Sequence, residues 1–121
     1  MTTPLVFIVE DEPFVQGMIS DAIGEAGFVA TASSAEEAIP MLNGSDLLVR
    51  APVTDINLEP GNLTGWDVAE RARQVQPELP VVYMTGAGAG DWSSRGVPNS
   101  VMIQKPFVPA QVITAISQLL S

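Results

Sequence analysis

Four apolar segments of this sequence end in polar side chains whose chemistry suits phosphoryl transfer. These side chains are Glu10 and Asp11 after residues 5–9, Asp55 after residues 51–54, Thr85 after residues 81–84, and Lys105, the chain's single lysine, after residues 101–104. If the segments are parallel strands of one sheet, their carboxyl ends meet at one edge, where open α/β sheets bind ligands. The groups would then form one site rather than a scatter of charges.

Asp55 would be the nucleophile of such a site and would form an acyl phosphate. A Mg²⁺ ion would neutralise oxygens of the transferred group, since this ion prefers carboxylates, water and phosphate oxygens. The Lys105 ammonium and the Thr85 hydroxyl would contact the other oxygens. The predicted metal ligands are Glu10, mostly through water, Asp11, Asp55 and the backbone carbonyl of Asn57.

Each of these groups also has an ordinary structural explanation. Glu10 and Asp11 could favour the positive N-terminal end of the following helix. Asp55 could be a turn former, Thr85 a strand residue and Lys105 a solvated end. The coincidence of suitable groups at four strand ends is what favours a common site.

Composition narrows the possible functions. At 121 residues the chain fits one domain, and 46% hydrophobic residues indicate a packed core. A net charge of −9 argues against binding nucleic acid or an anionic membrane through a broad basic surface. The chain has no cysteine and no histidine, which excludes disulfides, thiolate catalysis and a histidine base. Any metal must therefore be a hard cation held by oxygen atoms.

The N-terminal residues carry no basic region followed by a long apolar stretch. No run of about 18 apolar residues, the length of a membrane span, occurs in the sequence. We therefore expect a cytoplasmic protein.

The apolar and polar pattern alternates between strands and helices five times. Strands are predicted over residues 5–9, 28–32, 51–55, 81–85 and 101–104, and helices over 13–26, 35–43, 66–75, about 91–95 and 109–120. Ser34 and Glu37 have the spacing of a capping box. The last helix is expected to turn Val112, Ile113, Ile116 and Leu119 inward. The alternation implies a doubly wound α/β fold, with a five-stranded parallel sheet and helices on both faces.

Four short runs together resemble the receiver domain of bacterial two-component response regulators. They are Val9-Glu10-Asp11-Glu12-Pro13, Thr54-Asp55-Ile56-Asn57-Leu58, Met84-Thr85-Gly86 and Lys105-Pro106-Phe107. Each run alone is a weak signal, but all four occur in order along the chain at spacing similar to that family's. The resemblance implies one receiver domain over residues 1–121, the flavodoxin-like strand order 2-1-3-4-5, and a cis peptide bond before Pro106.

The resemblance also implies a function. Asp55 would accept a phosphoryl group from a histidine kinase or a histidine phosphotransfer protein, with Mg²⁺ required, in a two-component phosphorelay. The chain would be a phosphoacceptor rather than an enzyme, capable at most of self-phosphorylation from small donors and of self-dephosphorylation. Because no residues remain for an effector domain, the output would be contact with an unknown downstream protein, with no nucleic acid or membrane involved.

Two positions depart from the pattern of that family. Members often carry an aromatic residue three positions before the lysine, and here Met102 occupies that position. Residues 86–90 are rich in glycine where members usually have a full fourth helix, so the helix predicted around residues 91–95 is short. In that family the aromatic residue turns inward when the threonine contacts phosphate. Met102 is flexible enough to fill either packing, so the same coupling to Thr85 is not expected from the resemblance alone.

Three other functions remain open at this point. A phosphoryl sink that drains a kinase would use the same site without signalling. A flavodoxin-like cofactor protein needs a phosphate-binding loop after the first strand, and Glu10 and Asp11 would repel a phosphate there. A phosphatase with an aspartate nucleophile needs a second acid two residues after Asp55, where this chain has Asn57.

Overall fold

The structure of the protein is a computed structural model, which describes residues 5–24, 28–43, 49–58, 61–86, 96–105 and 108–120. Within these residues the elements are β1 (Leu5–Val9), α1 (Pro13–Gly24), β2 (Phe28–Ala32), α2 (Ala35–Asn43), β3 (Val49–Asp55), α3 (Gly65–Val75), β4 (Val81–Thr85), β5 (Ser100–Gln104) and α4 (Pro109–Leu120). The helix predicted around residues 91–95, the end of the first helix at residues 25–26 and the peptide bond before Pro106 lie outside the described residues.

All five strands belong to one sheet, in the order β2-β1-β3-β4-β5. Every neighbouring pair in it is parallel. This confirms the predicted fold class and strand order. Because β1 and β3 are neighbours, the polar residues that follow Val9 and end β3 lie side by side at the carboxyl edge of the sheet.

Strand β3 begins at Val49, two residues before its predicted start at Ala51. The pairing between β1 and β3 is irregular here: Leu5 pairs with Val49 but Val6 pairs with Ala51, so one residue of β3 is bulged. Strand β4 pairs with β3 only from Val53 onward. Pro52 therefore lies where β3 has a single neighbour, which explains how a proline is accommodated in a central strand.

Helices cover both faces of the sheet, because alternate residues of each strand point to opposite faces. On one face Phe7 and Val9 pack with residues of α2 and α3, including Ala38 and Val68. On the other face Ile8 packs in a second cluster with residues of α1 and α4. The buried helix residues of this second cluster are Ile19, Ile23, Val112, Ala115 and Ile116.

Helix α4 differs from expectation in which residues it buries. Ile113 is 38% exposed, so the prediction that it faces inward is wrong. Val112, Ala115 and Ile116 have the i, i+3, i+4 spacing of one helical stripe, and the residue after Val112 is rotated about 100° away from that stripe. The side chain of Leu119 lies outside the described residues.

The predicted start of α2 is present with one change of partner. The Ser34 hydroxyl oxygen accepts a hydrogen bond from the Glu37 backbone N–H at 3.0 Å. The Glu37 carboxylate accepts one from the N–H of Ser33 at 3.4 Å, instead of from that of Ser34. Ser34 therefore caps the helix, while the hydrogen bond to the Glu37 carboxylate comes from Ser33, one residue before the cap.

Among the described residues, none of the helices combines the length and apolar character that a membrane crossing requires.

Truncating a buried residue of α1 should destabilise the protein far more than truncating an exposed one. Ile19 is fully buried and Phe14, on the same helix, is 77% exposed. We expect Ile19→Ala to lower the free energy of unfolding by about 2–5 kcal/mol, and Phe14→Ala to change it by no more than about 0.5 kcal/mol. Urea denaturation followed by circular dichroism measures both, and equal losses would contradict the assignment of the α1 packing face.

Candidate functional site

The carboxyl end of β1 places Glu10 in the interior of the site. Its N–H continues the sheet pairing by donating to the Ala32 carbonyl at 3.1 Å. The whole residue is inaccessible to solvent, and its carboxylate accepts a hydrogen bond from the Glu12 backbone N–H at 3.2 Å. Asp11, between these two residues, is half-buried. A local turn thus holds one acid inside and the next at the surface of the same edge.

Asp55 ends β3, and Lys105 follows β5 at the same edge of the sheet. The Lys105 Nζ atom lies 2.8 Å from Glu10 Oε1 and 3.0 Å from Asp55 Oδ2. Asp55 is only 5% exposed, so both carboxylates are withdrawn from water. The ammonium therefore bridges two buried acids that are 45 positions apart along the chain.

Three acids of the site are close enough to share a cation. Glu10, Asp11 and Asp55 each offer a carboxylate oxygen, and these oxygens all lie within 4.8 Å of one another. Carboxylate oxygens are the ligands that hard divalent cations prefer. The structure therefore brings together three of the residues predicted to hold Mg²⁺, and one of them, Asp55, is also the predicted phosphoacceptor.

The other predicted site residues also lie at this edge. Thr85 is fully buried at the end of β4, and its carbonyl oxygen accepts a hydrogen bond from the Lys105 backbone N–H at 2.7 Å. Asn57 is exposed two residues after Asp55. The Ile56 N–H between them donates to the Met84 carbonyl at 3.0 Å, which ties the loop after β3 to β4.

Burial and the hydrogen bonds of Lys105 together set the pKa values of the site. Desolvation raises the pKa of Glu10 from 4.5 to about 8, although the hydrogen bonds from Lys105 and from the Glu12 N–H act in the opposite direction. Burial by itself would lower the pKa of Lys105, but its hydrogen bonds to Glu10 and Asp55 outweigh burial and raise that pKa. Burial thus favours the protonated form of Glu10, although the Lys105 ammonium beside it favours the charged form.

Met102 lies on β5. It occupies the position where the family that this sequence resembles often has an aromatic residue. It is partly buried against a cluster that includes Trp66 and Tyr83. The two rings are tilted by 54° with centroids 4.8 Å apart, and the Tyr83 hydroxyl oxygen accepts a hydrogen bond from the Val97 N–H at 3.1 Å. The aromatic residues packed near Met102 therefore lie on α3 and β4 rather than on β5.

Gly65, the first residue of α3, supports the site in a way that sequence reasoning missed. Its N–H donates to the Ile56 carbonyl at 2.8 Å, and its Cα lies against the backbone of Asp55. A Cβ atom built there would overlap the Asp55 carbonyl oxygen and lie 2.8 Å from the carbon bonded to it. The available signal was a glycine directly after Thr64, which begins a capping box with Asp67.

Comparison with known proteins relates this arrangement to signalling proteins. A family model described as response regulator receiver domain matches residues 6–117. A solved structure of a response regulator receiver protein from Sinorhizobium medicae is 39% identical, with a TM-score of 0.90 over 98% of this chain and 94% of that chain. The chemotaxis response regulator CheY4 of Vibrio cholerae shares the fold, with a TM-score of 0.81 and 20% identity over 98% of this chain and 99% of that chain.

The curated relatives are longer proteins. The photosynthetic apparatus regulatory protein RegA of Cereibacter sphaeroides is 36% identical over 89 residues, which is 70% of this chain and 44% of RegA. The nitrogen assimilation regulatory protein NtrX of Azorhizobium caulinodans is 28% identical over 108 residues, which is 84% of this chain and 23% of NtrX. The chain thus spans less than half the length of either relative.

Adding one methyl group at Gly65 should damage the protein, whereas adding one at Gly17 should not. We expect Gly65→Ala to lower the free energy of unfolding by about 1–3 kcal/mol, because the backbone beside Asp55 must move. Gly17, in α1, has nothing within 4 Å of an added Cβ, so Gly17→Ala should stabilise the protein by up to about 1 kcal/mol. Urea denaturation compares the pair, and a tolerated Gly65→Ala would show that the close approach is not required.

Glu10→Gln should flatten the pH dependence of stability in metal-free protein. The pKa of Glu10 is raised from 4.5 to about 8 on folding, so its contribution to stability is full below the unfolded value and is lost as pH rises to the folded value. Glutamine has no proton to lose. Wild type should therefore lose stability as pH rises over this window, whereas the variant should not. The unfolding free energy of the variant minus that of wild type should rise by roughly 1.4 kcal/mol per pH unit at most.

Urea denaturation in the presence of a chelator, from about pH 4 to about pH 9, measures this difference. Asp21→Asn, which alters an exposed acid on α1, is the control for the change of charge and should not reproduce the effect of Glu10→Gln. Parallel profiles for wild type and Glu10→Gln would show that burial does not hold the Glu10 proton.

Proposed function

We propose that Asp55 accepts a phosphoryl group, since this chain belongs to the response regulator receiver domain family. The observation that carries the proposal is the contact of Lys105 with both Asp55 and Glu10, within a cluster that also contains Asp11. This arrangement joins a carboxylate of the kind that forms acyl phosphates, an ammonium group and further carboxylate oxygens at one sheet edge. The function is that of a phosphoacceptor in two-component signalling.

The proposed step transfers one phosphoryl group to one carboxylate. An Asp55 oxygen attacks the phosphorus atom, and the new P–O bond forms as the bond from phosphorus to the donor breaks. When the donor is a phosphorylated histidine, the imidazole nitrogen leaves with the electron pair of the P–N bond and takes a proton from solvent. The product is an acyl phosphate on Asp55.

Lys105 and Thr85 would stabilise the charge on the transferred group. The Lys105 ammonium is 3.0 Å from Asp55 Oδ2, so it can donate to an oxygen of a group attached there with little movement. Thr85 ends β4, the strand between those that bear Asp55 and Lys105. We assign its hydroxyl to another phosphoryl oxygen.

The proposed cofactor is Mg²⁺, and the residues of the site fit it. Its ligands would be Asp11, Asp55 and the backbone carbonyl of Asn57, with Glu10 acting mostly through water. When bound, the ion neutralises negative charge on the phosphoryl oxygens. The chain contributes a set of oxygen donors with no competing imidazole or thiolate ligand, since it contains no histidine or cysteine.

The proposed donor is a histidine kinase or a histidine phosphotransfer protein, and the output is contact with a downstream protein. Asp55 is 5% exposed, so a donor must bring its phosphoryl group close to a largely buried acid at the carboxyl edge of the sheet. The chain would not turn over a substrate of its own, beyond accepting phosphate from small donors and hydrolysing its own acyl phosphate. The phosphatase alternative lacks support, because Asn57 offers no acid two residues after Asp55.

Incubation with acetyl phosphate and MgCl₂ tests the proposal directly. Wild-type protein should gain one phosphoryl group, seen by intact mass, because acetate leaves when Asp55 attacks. Asp55→Asn should gain none, because the amide is not a nucleophile of this kind. Addition of a chelator should abolish the modification of wild type.

Asp21→Asn is the matched control, since it removes an exposed carboxylate from α1 and should leave the modification intact. Equal modification of wild type and Asp55→Asn would remove Asp55 from its role. If the phosphoryl group is accepted but no partner then distinguishes the two states of the protein, the chain is a phosphoryl sink rather than a signalling protein.

A further inference from the structure

Gln16, on α1, holds the ends of two strands with a single amide group. Its side-chain Nε2 donates to the carbonyl oxygen of Glu10 at 3.0 Å and to that of Ala32 at 3.1 Å. Glu10 lies just beyond β1 and Ala32 is the last residue of β2. Gln16 therefore bridges two neighbouring strands at the edge where the acids of the site converge.

A primary amide is suited to this position. Its nitrogen carries two hydrogens and no lone pair that accepts, so it can supply one hydrogen to each of two carbonyl oxygens. The Ala32 carbonyl also accepts the Glu10 N–H at 3.1 Å, which leaves it one further lone pair for Gln16. Replacing the amide by an apolar group would leave the Glu10 carbonyl without this donor in a partly buried setting.

Gln16 also contacts both neighbours of Asp11. Its side chain binds the Glu10 carbonyl, and its backbone N–H donates to the Glu12 carbonyl at 2.9 Å. The Glu12 N–H in turn donates to the Glu10 carboxylate at 3.2 Å. The two peptide units that flank Asp11 are thus restrained, and the direction in which its carboxylate leaves the backbone is restrained with them.

We infer that Gln16 is a positioning residue for the cation site, which holds the turn bearing Glu10 and Asp11 so that both carboxylates face Asp55. This inference rests on the proposed function, because it concerns the same site. Gln16 has no role in the proposed chemistry itself and acts only through the acids. Removing the Gln16 amide should therefore raise the dissociation constant for the cation while the protein remains folded.

The test is calorimetric titration of MgCl₂ into wild type, Gln16→Met and Gln74→Met. Methionine keeps the length of the side chain and removes the donors. We expect the Mg²⁺ dissociation constant of Gln16→Met to rise about tenfold, as for other residues that orient metal ligands. Gln74 lies exposed on α3 and contacts Arg71, so the same substitution there should leave the affinity unchanged.

A second measurement separates positioning from general stability. Amide hydrogen exchange without metal should become faster at residues 10–12 of Gln16→Met, while residues 6–8 of β1 keep their wild-type protection. If Gln16→Met does not fold, Gln16→Asn replaces it. Asparagine keeps the amide but is shorter by one carbon–carbon bond, about 1.5 Å, and so cannot hold both carbonyls.

Each result decides between distinct conclusions. Weaker Mg²⁺ binding with locally faster exchange supports the inference. Wild-type affinity in Gln16→Met, or exchange that is faster throughout the protein with no local excess, overturns it and leaves the proposed function in place. Absence of Mg²⁺ binding by wild type would instead overturn the proposed metal site, and the inference with it.

Discussion

The contacts of the Lys105 ammonium with the Glu10 and Asp55 side chains are the interactions on which the organisation of the site depends. Two carboxylates that are 0% and 5% exposed lie at neighbouring strand ends, and burying such groups without a counter-charge is costly. A single ammonium satisfies both at 2.8 and 3.0 Å. The ends of β1, β3 and β5 must therefore stay in register, and the rest of the fold can be understood as the means of keeping them there.

The strand order provides the first part of that restraint. Strands β1 and β3 are adjacent, while β4 separates β3 from β5, so Lys105 reaches past the end of β4 to meet the acids. The Lys105 backbone N–H bonds to the Thr85 carbonyl at 2.7 Å, which extends the pairing of β4 and β5 to the residue that bears the ammonium. Two apolar clusters, one on each face, hold the sheet in this arrangement.

The loops that follow the strands provide the second part. Gly65 lets the start of α3 press against the backbone of Asp55, and Gln16 ties the turn after β1 to the end of β2. Both use the first turns of helices, which lie at the carboxyl edge because each helix returns antiparallel to the strand before it. The carboxyl edge of the sheet is therefore held by apolar packing on its two faces and by contacts with backbone atoms at the strand ends.

Local sequence was sufficient to predict most of the strands and helices and the fold class, whereas the strand order came from the family resemblance. Continuous apolar runs mark the buried parallel strands, and the strands β1, β2 and β4 have their predicted bounds because glycine, proline, serine or acidic residues flank them. The early start of β3 was not predictable, since the bulge that accommodates it depends on pairing with β1. Ile113 was placed on the wrong face because neighbouring apolar residues on a helix do not reveal which of them meets the sheet.

For the site, the sequence by itself determined which chemical groups are available: one lysine, acids at strand ends, and no nitrogen or sulfur ligand from histidine or cysteine. Only the tertiary structure decided how these groups interact. The raised pKa of Glu10 comes from burial, and the roles of Gln16 and Gly65 come from contacts with backbone atoms outside their own helices. Burial and close approach are properties of packed neighbours, and residue type and spacing do not specify them.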